Sequence, residues 1–182
     1  MRVLLAISNT YLRNTVKEIL KQHDIQISGE VTKVGEIIRK ARTLQTDAVI
    51  IDTALEGTGI RQVAMVLEED GVAPVIMIAT QGDPETREFA YVLKPVNSGS
   101  LIPAVNSAVI AYRKMRLLAR EIQHLREQLA TRKVVEIAKG LIMKEKGLSE
   151  EEAHRMLQKL SMDKGIPLKA VAEAIITLKE II

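Results

Sequence analysis

The chain has 182 residues, of which 47% are hydrophobic and only 2% aromatic, and it has no cysteine. That length holds one large domain or two small ones, and the lack of cysteine excludes disulfides and thiolate-based zinc sites or nucleophiles. The net charge of +3 is uneven, because residues 101–120 carry four basic residues and no acidic one, a mild hint of a nucleic-acid partner. No apolar run approaches the roughly 20 residues that a membrane span needs, so we expect a cytoplasmic protein with no membrane partner.

The first hundred residues alternate between short apolar runs and amphipathic stretches. The runs at 3–7, 25–31, 48–51, 75–78 and 90–93 predict strands, and the stretches at 10–21, 34–44 and 60–69 predict helices. Several runs are continuously apolar, which is typical of strands that a parallel sheet buries on both faces. The pattern predicts an α/β domain with a doubly wound, parallel, five-stranded sheet.

Two residues at the ends of these runs carry reactive side chains. Asp52 closes the third run and Lys94 closes the fifth. Because the carboxyl ends of parallel strands meet at one edge of the sheet, we expect the two side chains to converge there. A carboxylate that faces an ammonium group can accept a phosphoryl group, whose charge the lysine then holds. The alternative is a partly buried ion pair without a chemical role.

Over residues 1 to about 110 the sequence resembles the receiver domain of bacterial response regulators. The resemblance rests on the spacing of five strands, on Asp52, on Tyr91 three residues before Lys94, and on the proline that follows Lys94. It implies a flavodoxin-like fold, with Asp52 as the phospho-acceptor and with Lys94, Tyr91 and Thr80 as the switch residues. It also implies a sensor kinase or another sensor protein as a partner.

The sequence departs from the receiver pattern in two places. Receivers normally place two acidic residues after the first strand to bind Mg²⁺, and this chain has Ser8 and Asn9 there. Because Mg²⁺ prefers carboxylate oxygens, this acidic pair is degenerate and no cofactor is expected; Mg²⁺ held by Asp52 is the alternative that stays open. The hydroxyl residue expected at the end of the fourth strand falls on Ala79, with Thr80 next. The stretch from there to Lys94 is short, which predicts a stunted fourth helix.

A long helix is predicted from about residue 100 to residue 146. Its apolar positions follow the steps of four and three that form a heptad seam, and one helix cannot bury such a seam alone. We therefore expect a parallel homodimeric coiled coil; alternatively, the seam packs on the protein's own domains. The apolar positions are Leu101, Ala104, Ala108, Ala111, Met115, Leu118, Ile122, Leu125 and Leu129, and the last five are assigned to the dimer seam.

The remaining residues predict two more helices. Gly147 suits the end of the long helix, and Ser149 with Glu152 forms a capping box at the start of the next. Gly165 and Pro167 then separate that helix from a last one. The result is a small all-α unit of three helices, of which the first continues the connector.

Over about residues 120–182 the sequence resembles the ANTAR domain. The motifs are Ala138-Lys139-Gly140-x-Ile142-Met143, Gly147-x-Ser149-x-x-x-Ala153 and Val171-Ala172. The resemblance implies a dimeric regulator that binds paired hairpins in leader RNA and prevents terminator formation. We expect a receiver-like domain at 1–110, a coiled-coil linker at 111–131 and an RNA-binding domain at 132–182.

The ANTAR motif supplies the candidates for RNA contact. A glycine inside a helix costs about 1 kcal/mol relative to alanine, so Gly140 predicts a close approach, more readily by a helix than by RNA. Lys139 borders the apolar stripe, where it could reach a phosphate or lay its stem over the core. The candidates are Lys139, Gly140, Lys144, Lys146, Arg155, Lys159, Lys164 and Lys169.

Two other functions remain open. A DNA-binding response regulator needs a recognition helix, but the helix after Ser149 begins with three acids, which would repel phosphates. A protein-interaction module that works without phosphorylation is compatible with the degenerate acidic pair. No enzyme is expected, because the sequence has no nucleotide-binding glycine loop, metal cluster or catalytic triad.

Overall fold

The computed structural model describes residues 1–180 and divides into two compact units, of which the first is Met1–Leu117 and the second begins at Leu118. The first unit contains β1 (Arg2–Ala6), α1 (Thr10–Gln22), β2 (Gln26–Val31), α2 (Ile37–Leu44), β3 (Ala48–Asp52), α3 (Ile60–Glu69), β4 (Val75–Ala79), β5 (Ala90–Leu93) and the beginning of α4 (Ser98–Lys146). The last two residues of the predicted third domain, 181 and 182, lie outside the described residues.

The five strands form one parallel sheet in the order β2-β1-β3-β4-β5. One face packs against α2 and α3, and the other packs against α1 and the beginning of α4. All five residues of β3 and of β4 are buried, which explains why their sequences show no polar alternation. The predicted doubly wound, five-stranded sheet is confirmed.

The segment between β4 and β5 contains one 3-10 turn, Pro84–Thr86, in place of an α-helix. The prediction of a stunted fourth helix is therefore confirmed. Without a full helix, one face of β5 is uncovered: the side chains of Tyr91 and Leu93 are 51% and 43% exposed, whereas Val92 on the opposite face is buried.

The predicted helix at 34–44 is wrong in its first turn. Val34–Glu36 forms a 3-10 turn, and the α-helix begins only at Ile37. Gly35 lies in that turn, and glycine is a poor helix former.

The first half of the predicted seam on α4 packs on the sheet. Leu101 is fully buried, and Ala104 and Ala108 pack against the same core together with Val105 and Val109. For Leu101, Ala104 and Ala108 the alternative is correct, because the sheet of the first unit covers them, whereas Ala111 is exposed. The five residues assigned to the dimer are all exposed: Met115 by 54%, Leu118 by 49%, Ile122 by 51%, Leu125 by 50% and Leu129 by 67%.

The second unit packs the end of α4 against α5 (Glu150–Lys164) and α6 (Leu168–Glu180). The capping box at the start of α5 is formed as predicted: the Ser149 side chain accepts from the backbone of Glu152, whose carboxylate accepts from the backbone of Ser149. Gly165 ends α5 in the left-handed conformation, with φ of 63°. Ala138, Ala153 and Ala172 are fully buried at the centre of this unit.

Candidate functional site

The carboxyl ends of the central strands open into a cavity of about 610 Å³. Asp52 from β3 and Lys94 after β5 both line it, as the sequence predicted from their positions at strand ends. The loop after β1 contributes Ser8 and Asn9, and the loop after β3 contributes Glu56. The cavity therefore places one buried carboxylate and one amine within reach of a small phosphorylated molecule.

Asp52 and Lys94 form a close ion pair at this cavity. The Asp52 side chain is 1% exposed, and its Oδ1 lies 2.6 Å from Lys94 Nζ, whose side chain is 29% exposed. The same oxygen accepts a hydrogen bond of 3.1 Å from the backbone N–H of Ala54. A carboxylate held in this way can act as a nucleophile, and the adjacent ammonium group can neutralise the charge of an added phosphoryl group.

Ser8 and Asn9 do not replace the two acids of a magnesium site. Asn9 Oδ1 accepts a hydrogen bond of 2.9 Å from the backbone N–H of Leu12, so that this side chain is the N-cap of α1. Residues 1–180 contain no group of three histidine, aspartate or glutamate side chains that could hold a metal ion. Without the acidic pair, Asp52 and Glu56 are the carboxylates that line this cavity, so it offers Mg²⁺ fewer acidic ligands than the receiver pattern does.

The other predicted switch residues lie outside the lining of the cavity. Thr80 follows β4 and is exposed. The ring of Tyr91 is on β5 and is half exposed. The structure thus brings Asp52, Lys94, Ser8 and Asn9 together and leaves Thr80 and Tyr91 apart from them.

In the second unit, Lys139 is buried between two glutamates. Its Nζ lies 2.7 Å from Glu150 Oε1 and 2.9 Å from Glu136 Oε1, and 9% of its side chain is exposed. Hydrogen bonds to Glu150 and Glu136 raise the pKa of Lys139, and the bond from Lys139 lowers the pKa of Glu150. Lys139 therefore ties α4 to the first turn of α5, and its charge is engaged within the unit.

Gly140 is exposed, and the expected helix packing at this position is wrong for the described residues. A Cβ atom on Gly140 would meet no atom within 4 Å. The reason is its place on the helix: Ala138 faces the core and is fully buried, whereas Gly140 lies two residues further around and faces solvent. The glycine therefore leaves open space beside α4.

The remaining predicted RNA contacts divide into two groups. Two of them are paired within their own helices, Arg155 with Glu151 and Lys169 with Glu173. The others are exposed and form no ion pair among the described residues: Lys144, Lys146, Lys159 and Lys164. Lys133 is absent from the predicted contacts, although it is exposed and lies two helical turns before Gly140 on the same face. The spacing of seven residues between Lys133 and Gly140 could have identified Lys133 as a candidate from the sequence.

Among the residues that the structure describes, no helix is both long enough and apolar enough to cross a membrane.

Comparison with known proteins gives a family match for the second unit and two relatives of the chain. Residues 123–176 match the family model of the ANTAR domain. The chain is 30% identical over 182 residues to the transcriptional regulatory protein PdtaR of Mycobacterium tuberculosis, and the match covers 96% of this chain and 89% of the relative. It is also 33% identical over 66 residues to the nitrate regulatory protein of Klebsiella oxytoca, which covers 36% of this chain and 17% of that protein.

Solved structures identify the fold of the first unit. The response regulator StyR has a TM-score of 0.61 and 18% identity, and the match covers 95% of this chain and 98% of StyR. The signal receiver domain of a modulated diguanylate cyclase from Desulfovibrio desulfuricans has a TM-score of 0.57 and 22% identity, over 63% of this chain and 97% of that domain. Taken with the similarity to PdtaR over nearly its whole length, this chain belongs to the two-component response regulators of the ANTAR family and has an atypical receiver domain.

Proposed function

We propose that this protein is a transcription antitermination regulator that binds paired hairpins in leader RNA as a dimer. The observation that carries the proposal is the ANTAR match over residues 123–176, with the open helix face at Gly140 inside it. In this proposal residues 1–110 receive the signal from a sensor kinase or another sensor protein, residues 111–131 join two copies, and residues 132–182 hold the RNA.

The exposed face of α4 around Gly140 is the proposed RNA contact. Lys133 and Lys144 lie on this face on either side of Gly140, and both are exposed. A position without a side chain lets a phosphodiester backbone approach the helix closely, and the two ammonium groups then contact phosphates. The chain has no Phe, Tyr or Trp after Tyr112, so RNA bases cannot stack on those rings here.

The exposed apolar strip of α4 is the proposed dimer interface. Here the strip denotes Met115, Leu118, Ile122, Leu125 and Leu129, with the first, third and fifth at heptad position a. Glu121 and Arg126 flank the strip at positions g and e and form no ion pair among the described residues. In a parallel dimer Glu121 of one copy faces Arg126 of the other, whereas an antiparallel dimer sets g against g and e against e and would not form this pair. The charges therefore favour parallel pairing.

In the receiver we propose Asp52 as the phospho-acceptor and Lys94 as its cationic partner, with Tyr91 and Thr80 as responding residues. The support is the buried carboxylate at the cavity and its 2.6 Å contact with Lys94. If this is correct, acetyl phosphate with Mg²⁺ adds one phosphate mass to the wild-type protein and none to Asp52→Asn. If wild type gains no mass, phosphorylation is not the signal under those conditions.

A second function, regulation by a protein partner without phosphorylation, is supported by the donor set at the cavity. Ser8 and Asn9 supply no carboxylate, and the uncovered face of β5 presents Tyr91 and Leu93 to solvent. DNA recognition by α5 is disfavoured, because the acids of its first turn would repel phosphates.

Binding to three nucleic acids tests the main proposal. Gel shifts at fixed salt compare a tandem-hairpin leader RNA, a single-hairpin RNA and duplex DNA of matched length. We expect tight binding to the tandem hairpins only, with affinity that falls as salt rises. Equal binding to all three, or a preference for duplex DNA, would contradict it.

Gly140→Ala separates RNA contact from packing. Alanine is favoured in a helix by about 1 kcal/mol, and its Cβ meets no atom of the described residues within 4 Å, so we expect higher stability and weaker RNA binding. Lys144→Ala should also weaken binding, whereas Lys21→Ala, an exposed lysine of α1, is the matched control and should not. RNA affinity unchanged by Gly140→Ala and Lys144→Ala would place the contact elsewhere.

Sedimentation of Ile122→Asp tests the dimer. A charge at the centre of the strip should shift the protein towards monomer, because an apolar seam does not bury an unpaired carboxylate. Ile110→Asp is the matched control, since Ile110 is 67% exposed on α4 and outside the strip. An unchanged dimer in Ile122→Asp would mean that the interface lies elsewhere.

A further inference from the structure

Arg116 is the last side chain by which the first unit holds α4. From residue 113 to residue 130, every residue of α4 is exposed except Arg116. The first unit ends at the next residue, Leu117. The contacts of Arg116 therefore determine how firmly this part of the helix is held.

The guanidinium of Arg116 binds the end of α3. Its Nη1 donates a hydrogen bond of 2.5 Å to the carbonyl oxygen of Gly71. Gly71 follows Asp70, the C-cap of α3. Carbonyl groups at a helix end lack helical partners, and the dipole there favours a cation. The guanidinium also lies 6.0 Å from the centre of the Tyr112 ring, one turn earlier on α4, which adds a cation–π attraction.

Gly71 permits this contact for two separate reasons. Its φ is +69°, a conformation that side chains disfavour. In addition, a Cβ atom on Gly71 would lie 1.3 Å from Arg116 Nη1. Any side chain at this position would therefore displace the guanidinium, which gives a way to break the contact without altering Arg116.

The contact also accounts for part of the basic charge at residues 101–120. Arg116 is bound to Gly71, and Arg113 lies 3.8 Å from the carboxylate of Asp47. Two of the four basic residues that suggested a nucleic-acid partner are thus used within the first unit. These two charges therefore hold the helix on the receiver.

We propose that Arg116 and Gly71 form a latch by which the receiver orders residues 108–117 of α4 and thereby strengthens the dimer. These turns lead into the strip and include its first residue, Met115. Association costs less conformational entropy when the helix is already ordered. The effect on the dimer rests on the proposed function; the ordering of the helix does not.

Hydrogen exchange in the full chain tests the latch directly. In Arg116→Gln and in Gly71→Ala, amides of residues 108–117 should lose about tenfold protection, the effect of losing one hydrogen bond to a charged group. Gly82→Ala is the matched control, because Gly82 has a φ of +81° but no atom within 4 Å of an added Cβ. Beyond Arg116→Gln, the double variant Gly71→Ala/Arg116→Gln should add only the loss that the strain control Gly82→Ala shows, since the contact is already broken.

Sedimentation of the same variants tests the effect on the dimer. The dimer dissociation constant should rise about fivefold in both latch variants, the low end of usual couplings between sites, and stay unchanged in Gly82→Ala.

Unchanged exchange at residues 108–117, or additive effects in the double variant, would overturn the latch. Faster exchange with an unchanged dissociation constant would overturn its effect on the dimer. If wild type is monomeric at every concentration, the dimer of the proposed function fails, and with it this second effect, while exchange still decides the ordering.

Discussion

Each unit has a lysine–carboxylate contact in which one partner is buried, and the two contacts are opposite in which partner that is. In the receiver the acid is buried: the Asp52 side chain is 1% exposed and that of Lys94 is 29% exposed. In the ANTAR unit the lysine is buried: the side chain of Lys139 is 9% exposed, whereas those of Glu136 and Glu150 are 53% and 70% exposed. The distances are similar, between 2.6 and 2.9 Å.

The difference lies in which group can return to water when its partner is removed. A buried charge without a partner is costly, whereas an exposed one is hydrated at little cost. Asp52 depends on Lys94 and faces a cavity, as the proposed phospho-acceptor must. Glu136 and Glu150 do not depend on Lys139 in this way, so that Lys139 is a structural tie between α4 and α5. The predictions below test this asymmetry.

The largest effect is expected from Lys94→Met. It leaves the buried carboxylate of Asp52 without its cation, and we expect a loss of about 2 kcal/mol in the free energy of unfolding of the receiver, below the value for a fully enclosed pair because the cavity admits water. Urea unfolding measures this loss. Asp52→Asn is the comparison, and it should cost less, because Lys94 can extend into solvent. Equal losses in the two variants would contradict the asymmetry.

The next largest effect is expected from Ser149→Ala. Loss of a serine N-cap costs about 1 kcal/mol of helix stability. The cap also orders the first turn of α5, which contains Glu150, the partner of Lys139. Urea unfolding of the ANTAR unit should show the loss, and Ser149→Asp, which retains a capping oxygen, should recover most of it. If Asp fails to recover stability, the cap is not the cause.

The sequence predicted the receiver pair because strand topology alone brings it together. Asp52 and Lys94 end two strands of one parallel sheet, so that no knowledge of side-chain packing was needed. The partner of Lys139 could not be predicted in this way. Glu150 follows the turn between α4 and α5, and its position depends on how α5 packs on α4. The helix packing expected at Gly140 was wrong for a related reason: its neighbour Ala138 faces the core, and the motif alone does not show which small residue is buried.

A smaller effect is expected from Lys139→Met, which retains the apolar stem of the side chain. The two glutamates become hydrated, so that the loss of stability should be less than in Ser149→Ala. Lys139 lowers the pKa of Glu150 below its ordinary value of 4.5. The stabilisation by this pair is therefore present above pH 4.5 and disappears as the pH falls through the lowered pKa of Glu150. Urea unfolding of wild type and Lys139→Met at pH 7 and pH 3 should show a difference that shrinks at low pH. A constant difference would show that packing, not charge, is lost.

The smallest effect is expected at Glu68, a half-buried carboxylate that forms no ion pair with any side chain that the structure describes. Burial raises the pKa of Glu68, although the hydrogen bond from the backbone N–H of Val75, 2.9 Å long, opposes this shift. A raised pKa means that the ionised carboxylate destabilises the folded protein at neutral pH and that the protonated one does not.

Glu68→Gln keeps the oxygen that accepts from Val75 and removes the charge. We expect a gain of less than about 1 kcal/mol at pH 7, small because solvent screens a half-exposed group. The gain should vanish below the ordinary pKa of 4.5, where wild-type Glu68 is protonated in both the folded and the unfolded states. Urea unfolding at pH 7 and pH 4 distinguishes the two cases. A gain that persists at pH 4 would mean that the amide improves packing or hydrogen bonding. The charge of the half-buried Glu68 carboxylate would then not lower the free energy of unfolding.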